Sequence, residues 1–132
     1  MKTCFLFPGQ GAQYPGMGKD LYEASQKVKN LFELASDRTG IDVKKLLFEG
    51  TEEELKSTDK TQIAVTLVNL SVAAVLEERG IACDGCAGFS LGEYSALAEA
   101  GVIAREDVFP IVKVRGEIME KVAKSLDTGS GV

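Results

Sequence analysis

The order of apolar runs, glycine turns and helical stripes predicts an α/β fold in which parallel strands are flanked by helices. Three observations predict it. An apolar run from Lys2 to Phe7 stops at Pro8-Gly9. A long and almost wholly apolar helix spans Gln62 to Arg79. A second apolar run, Ile81 to Ala87, leads directly into Gly88-Phe89-Ser90-Leu91-Gly92 and then into another helix.

Lys2 to Phe7 carries no charge after Lys2 and reads as a short buried strand. Pro8 blocks further pairing, and the glycines of Gly9-Gln10-Gly11 permit a tight backbone path. A second glycine-rich stretch covers Tyr14 to Gly18. Leu21 to Ser36 then reads as one helix with an apolar stripe of Val28, Leu31, Phe32 and Ala35, closed by Gly40. Short helical pieces follow at Val43 to Phe48 and Glu52 to Ser57.

The helix from Gln62 to Arg79 carries Ile63, Val65, Leu67, Val68, Leu70, Val72, Val75 and Leu76, which is more than one narrow stripe, so it is expected to be buried on several sides. Asp59 or Thr58 is placed to cap its start, and Gly80 suits the left-handed position after its end. Beyond the second strand, Glu93 to Glu99 returns to helix and Gly101 ends it. A final helix covers Arg105 to Lys124, with Glu106 and Asp107 in its first turn and Pro110 tolerated near its start. Two strands are few for a sheet with buried faces, and Leu126 to Val132 resembles a loop feeding a further element.

At 132 residues the chain suits one modest core. Hydrophobic residues at 45% and charged residues at 27% describe a globular rather than a disordered chain. A net charge of -5 and scattered basic residues argue against broad nucleic-acid binding. Phe5-Leu6-Phe7 is too short for a signal core or a membrane span. Three cysteines suit a reducing compartment, and the pair Cys83 and Cys86 reads as packed thiols, because it does not open a helix where a thiolate would be stabilised. The chain holds no histidine, so it contains neither a histidine base nor a histidine zinc ligand.

Three places carry candidate chemistry. Gly88-Phe89-Ser90-Leu91-Gly92 matches G-x-S-x-G between a strand and a helix, the context in which a serine hydroxyl projects outward and the next amides, unpaired at a helix N-terminus, can stabilise an oxyanion. The plain alternative is a glycine–serine turn that caps the helix. The loop Phe7-Pro8-Gly9-Gln10-Gly11-Ala12-Gln13 fits no nucleotide-binding glycine pattern. Gln10 there either faces a substrate oxygen or sits exposed in a turn. Arg115 lies within the stripe Val108, Val112, Met119 and Val122. Its fork calls for a carboxylate, from the protein or a substrate, unless it snorkels at the edge.

These segments, with Thr61-Gln62, Glu93-Tyr94 and Arg115-Gly116-x-x-Met119, occur in an order that resembles malonyl-CoA:acyl-carrier-protein transacylase over essentially the whole chain. The resemblance implies the N-terminal part of an α/β-hydrolase-like acyltransferase core, residues 1–132 being an incomplete large domain. Residues 126–132 would then connect to a ferredoxin-like small subdomain that is absent. It implies a two-step transfer in cytoplasmic fatty-acid synthesis. Ser90 takes malonyl from malonyl-CoA, and the phosphopantetheine thiol of acyl carrier protein receives it. Gln10 and Leu91 would belong to the oxyanion hole, and Arg115 would hold the malonyl carboxylate. No cofactor or metal is implied. The family's histidine before the nucleophile is Phe89 here, and its catalytic histidine belongs to a later part of the sequence. The chain is therefore expected to need a C-terminal portion as its partner. A serine thioesterase or hydrolase, an extender-unit acyltransferase of polyketide synthesis and a non-catalytic binding fragment are the other classes left open.

Overall fold

The computed structural model describes residues 1–126. It is an α/β arrangement of two strands and seven helices among those residues. Strand β1 is Cys4–Phe7 and strand β2 is Gly85–Gly88, and they pair in parallel with Cys4 opposite Gly85 and Phe7 opposite Gly88. The second strand is shorter than its apolar run: Ile81 turns off the preceding helix, its amide bonded to Leu76 O at 2.9 Å, and the strand starts at Gly85, after the Asp84 amide has bonded Thr3 O at 2.7 Å. The expected connection at 126–132 lies, past Leu126, outside the described residues.

Between the strands run α1 (Lys19–Ala24), α2 (Gln26–Thr39), α3 (Val43–Glu49), α4 (Glu52–Lys56) and α5 (Thr58–Glu78); α6 (Gly92–Glu99) and α7 (Arg105–Ser125) follow β2. The single helix expected over Leu21 to Ser36 is broken at Ser25. Its backbone is extended there, its hydroxyl accepts the Val28 amide, and it donates to Glu78 at 2.6 Å. A serine that satisfies a free helix amide competes with continued helix and starts a new one.

Helix α5 starts at Thr58, earlier than periodicity suggests, and neither Thr58 nor Asp59 caps it. The Thr58 amide is instead taken by Glu120 of α7, at 3.1 Å to Oε2. A cap supplied from another helix leaves no local signal. Gly80 does follow its end in the left-handed region, with φ 81°. By length and composition α5 could cross a membrane, but 67% of its apolar window is buried inside this fold, as befits the core helix.

Two clusters make the core. The larger joins α2, α3, α5 and α7 through fully buried Phe32, Leu47, Leu67, Leu70 and Phe109. The smaller sets Phe5 and Phe7 of β1 against Ala73 of α5 and Ala96 of α6. Burying a side chain of this size contributes about 1.5–3 kcal/mol, so the two phenylalanines anchor β1 on the helices. Among the described residues the sheet is covered on that face alone. Leu6 (76% exposed) and Phe89 (79% exposed) lie on the other. An apolar groove of about 430 Å³ follows β1, lined in part by Leu6, Tyr14, Val68, Val72 and Leu76. Cys83 and Cys86 pack as free thiols beside the smaller cluster; burial raises the Cys83 thiol, with Glu99 adding to it.

Candidate active site

Ser90 stands at the turn between β2 and α6 with φ 53°, the one left-handed backbone among the described non-glycine residues. L-residues avoid this region at a cost of about 1–2 kcal/mol, and such strain persists only where the surroundings impose it. They do so here. A Cβ on Gly88 would fall 2.0 Å from Gly92 O, and one on Gly92 would fall 2.1 Å from Phe7 O. Only glycine lets the strand, the turn and the end of β1 approach this closely. Phe89 N also bonds Phe7 O at 3.1 Å, and Gly92 N bonds Phe89 O at 2.9 Å. The turn is exposed at Ser90 and buried again at Leu91, whose amide makes no hydrogen bond among the described residues.

The loop after β1 presses on this turn. A Cβ on Gly9 would lie 2.6 Å from Phe89 O and 3.5 Å from Leu91 N, so the Gly9 backbone faces the Leu91 amide. Gln10 follows, exposed, and its Nε2 donates to Thr58 Oγ1 of α5 at 3.3 Å. The side-chain amide is thus held by α5 rather than by the turn itself. Asn69, also on α5, donates from Nδ2 to Pro8 O and to Ser95 Oγ, each at 3.1 Å.

Arg115 of α7 reaches the serine. Its Nη2 lies 3.4 Å from Ser90 Oγ, and its Nη1 donates to Gln62 Oε1 at 2.9 Å. Its guanidinium carbon stands 5.4 Å from the Tyr94 ring centroid, within cation–π range. No protein carboxylate takes it among the described residues. Arg115 is therefore neither snorkelling nor in an internal ion pair, and its fork retains capacity for an anion beside Ser90. The expected stripe around it holds at Val108 and Val112, both fully buried, but Val122 is 49% exposed and Met119 half-buried.

The family model described as the acyl transferase domain matches residues 4–130. The chain belongs to the acyl transferase domain family.

This acyl transferase chain is 44% identical, over 120 residues, to the malonyl CoA-acyl carrier protein transacylase of Bacillus subtilis strain 168, covering 91% of the chain and 38% of that relative. The structure of MCAT from Streptococcus pneumoniae superposes with a TM-score of 0.88 at 42% identity, over 91% of the chain and 39% of that structure. A type II PKS acyl-carrier protein in complex with its malonyl-transacylase gives a TM-score of 0.86 at 41% identity, over 92% and 40%. The chain thus spans about two-fifths of the length of the relatives it matches.

Within the acyl transferase fold the structure also brings to the site residues that the sequence placed only as a helix cap or as members of a motif, and others it left unmarked. Thr58, Gln62, Thr66 and Asn69 recur at helical spacing and are all buried on a largely apolar α5, which also buries Thr61 and Ser71. Three of them bind Gln10, Arg115 and the Pro8 carbonyl. That signal is present in the sequence: uncharged polar residues repeated along one face of a mostly apolar helix. Tyr94, one turn beyond Ser90, is the other residue so recruited.

Proposed function

We propose that this acyl transferase chain supplies the nucleophile and the carboxylate clamp for transfer of a malonyl group from malonyl-CoA to the phosphopantetheine thiol of acyl carrier protein. The observation that carries the reading is the 3.4 Å approach of Arg115 Nη2 to Ser90 Oγ, with Nη1 already fixed on Gln62. A malonyl thioester bears its carboxylate one methylene from the reacting carbonyl, so a receptor for that anion must stand next to the nucleophile. Arginine gives two parallel charge-assisted hydrogen bonds to a carboxylate.

In this reading Ser90 Oγ attacks the thioester carbonyl, its proton passes to a base, and the carbonyl oxygen becomes an oxyanion facing the free Leu91 amide. Gln10 belongs to the same hole, by turning from Thr58. Collapse breaks the carbon–sulfur bond, CoA leaves as a thiol after taking that proton, and malonyl remains as an ester on Ser90. The carrier-protein thiol then attacks the ester, its proton restores the Ser90 hydroxyl, and the malonyl thioester of the carrier departs. A serine hydroxyl is a weak nucleophile without a base, and the 132 residues contain no histidine. The base is therefore assigned to a C-terminal portion corresponding to the length of the relatives that this chain does not span. Residues 1–132 form part of the large domain in this scheme, inactive without that portion. Three free thiols suit a cytoplasmic setting.

Intact-mass spectrometry after mixing malonyl-CoA with the chain, alone and with a C-terminal portion taken from a relative, tests the proposal. A malonyl adduct on Ser90 that needs the C-terminal portion, and that carrier protein discharges faster than water, supports it. Discharge to water alone favours a serine hydrolase. No adduct in either mixture overturns the catalytic reading in favour of a binding role.

A further inference from the structure

We propose that Asn69 is a positioning residue, whose side-chain amide sets the gap between the Gln10 loop and the Ser90 turn. The amide nitrogen of an asparagine has two hydrogens. Here they serve two different parts of the molecule: Pro8 O in the loop after β1, and Ser95 Oγ in α6, at 3.1 Å each. Asn69 is only 7% exposed and sits on α5, beneath both.

The two acceptors flank the Leu91 amide. Pro8 O belongs to the peptide that continues into Gly9, and Gly9 lies so close to Phe89 O that a methyl group would not fit, with Leu91 N at its side. Ser95, fully buried, lies four residues beyond Leu91, one turn into the helix that the amide begins. Moving the Pro8 carbonyl moves Gly9 and the start of Gln10; moving Ser95 moves the axis of α6. A single planar amide bonded to both fixes their separation, which is the width of the space above Leu91 N. Thr58 holds the Gln10 side chain on the same face of α5, so this helix sets both the backbone and the side chain of the loop.

A plain structural brace between α5 and α6 would need only the Ser95 bond. The Pro8 bond distinguishes the two roles. The inference rests on the malonyl-transfer reading for its kinetic arm alone.

The test compares Asn69→Ala, Asn69→Asp and Ser95→Ala with the unaltered chain. Amide chemical shifts are read by NMR on the 132-residue chain, thermal midpoints alongside, and Ser90 malonylation after adding the C-terminal portion. Misplacing a catalytic group by a fraction of an ångström to one ångström costs roughly 10- to 100-fold in rate. Asn69→Ala is therefore expected to shift the Gly9, Gln10 and Leu91 amides. It should also lower kcat for malonylation about tenfold, with KM for malonyl-CoA within about twofold. Ser95→Ala removes one of the two anchors: it should lower the thermal midpoint and shift the Leu91 amide, while leaving the Gly9 and Gln10 amides close to the parent and lowering kcat less than Asn69→Ala does. Should Asn69→Ala fail to fold, Asn69→Asp keeps the shape and removes the donors, and carries the same expectation. Equal effects of Ser95→Ala and Asn69→Ala at the Gly9 and Gln10 amides overturn the proposal, as do shifts confined to α5 and α6. Loss of folding in both Asn69 variants overturns it too, because the residue is then structural only. If the unaltered chain takes no malonyl group, the transfer reading fails by itself and the amide shifts still decide the role of Asn69.

Discussion

Arg115 and Ser90 meet at 3.4 Å, Nη2 to Oγ, although one lies on the face of α7 and the other in the turn that opens α6. Neither element needs the other to form. Their meeting depends on α7 packing along α5, where Val108, Phe109 and Val112 are fully buried. The pairing converts two separate sequence signals into one site, and its consequences can be measured.

Replacing Arg115 by Ala should remove selectivity for the carboxylated substrate more than it slows acylation in general. A hydrogen bond to a charged group contributes about 1.5–3 kcal/mol, so preference for malonyl-CoA over acetyl-CoA should fall about 10- to 100-fold. Arg115→Lys keeps the charge but not the fork and should fall between. Competition between the two thioesters in the reconstituted enzyme measures the ratio. An equal loss for both substrates would argue that Arg115 only shapes the turn.

Gln62 fixes the direction of that clamp. It is fully buried and neutral; its Oε1 accepts from Arg115, and its Nε2 lies 3.2 Å from Met119 Sδ. Gln62→Glu would place a carboxylate against the guanidinium and compete with the substrate's anion for it. Malonate binding near neutral pH should weaken about tenfold, since a charge-assisted bond of about 1.5 kcal/mol or more is diverted. Binding should recover as the pH is lowered and the new carboxyl is protonated. Titration of malonate followed at the Arg115 side-chain resonances measures this, and pH-independent weakening would contradict it.

The sequence carries the strands, the glycine turn and most of the helices because each depends on neighbours in the chain. The alternation around Phe5 and Phe7, the cluster at Gly88 to Gly92 and the stripe of α2 are local patterns. The sequence misplaces the start of α5 because Thr58 is capped by Glu120, sixty-two residues away. It joins two helices over Leu21 to Ser36 because Ser25 can sit inside a helix or cap one, and its bond to Glu78 decides. Ser90 and Arg115 are legible as chemical types. The polar face of α5 that carries Gln62 and Asn69 is legible as a pattern, but the proximity of Ser90 to Arg115 and the partners of Gln62, Asn69 and Tyr94 are tertiary facts that no spacing encodes.

Ser90 holds a left-handed backbone, so its substitutions separate strain from chemistry. Ser90→Ala removes the nucleophile and keeps the strain. Ser90→Gly removes both, at the cost of a more flexible unfolded chain. Relief of about 1–2 kcal/mol against a glycine penalty of about 0.5–1 kcal/mol leaves Ser90→Gly more stable than Ser90→Ala by about 0.5–1 kcal/mol. Urea denaturation of the two variants gives the difference. A glycine variant less stable than the alanine one would mean that the turn relaxes at no cost.

A last consequence concerns pH and lies away from the serine. The Glu99 side chain, on α6, is only 2% exposed; Arg105 of α7 reaches it at 3.3 Å. Burial pushes its carboxyl up from 4.5 to about 7, the neighbouring Glu77 carboxyl of α5 adds to the rise, and Arg105 opposes it. Cys83, on the loop after α5, lies within reach of the same charge. The folded state therefore holds a proton that the unfolded chain releases near the ordinary value. Linkage then gives the sign: this contribution to stability is fully present below about pH 4.5 and is lost as pH rises through about 7. Glu99→Gln keeps the hydrogen bonding of the neutral form and removes the titration. Its denaturation midpoint should change less than the parent's from about pH 5 to about pH 8, and should exceed the parent's at the alkaline end. A parent chain whose stability changes no more than that of Glu99→Gln over that interval would show that the Arg105 pairing outweighs burial and keeps Glu99 ionised throughout.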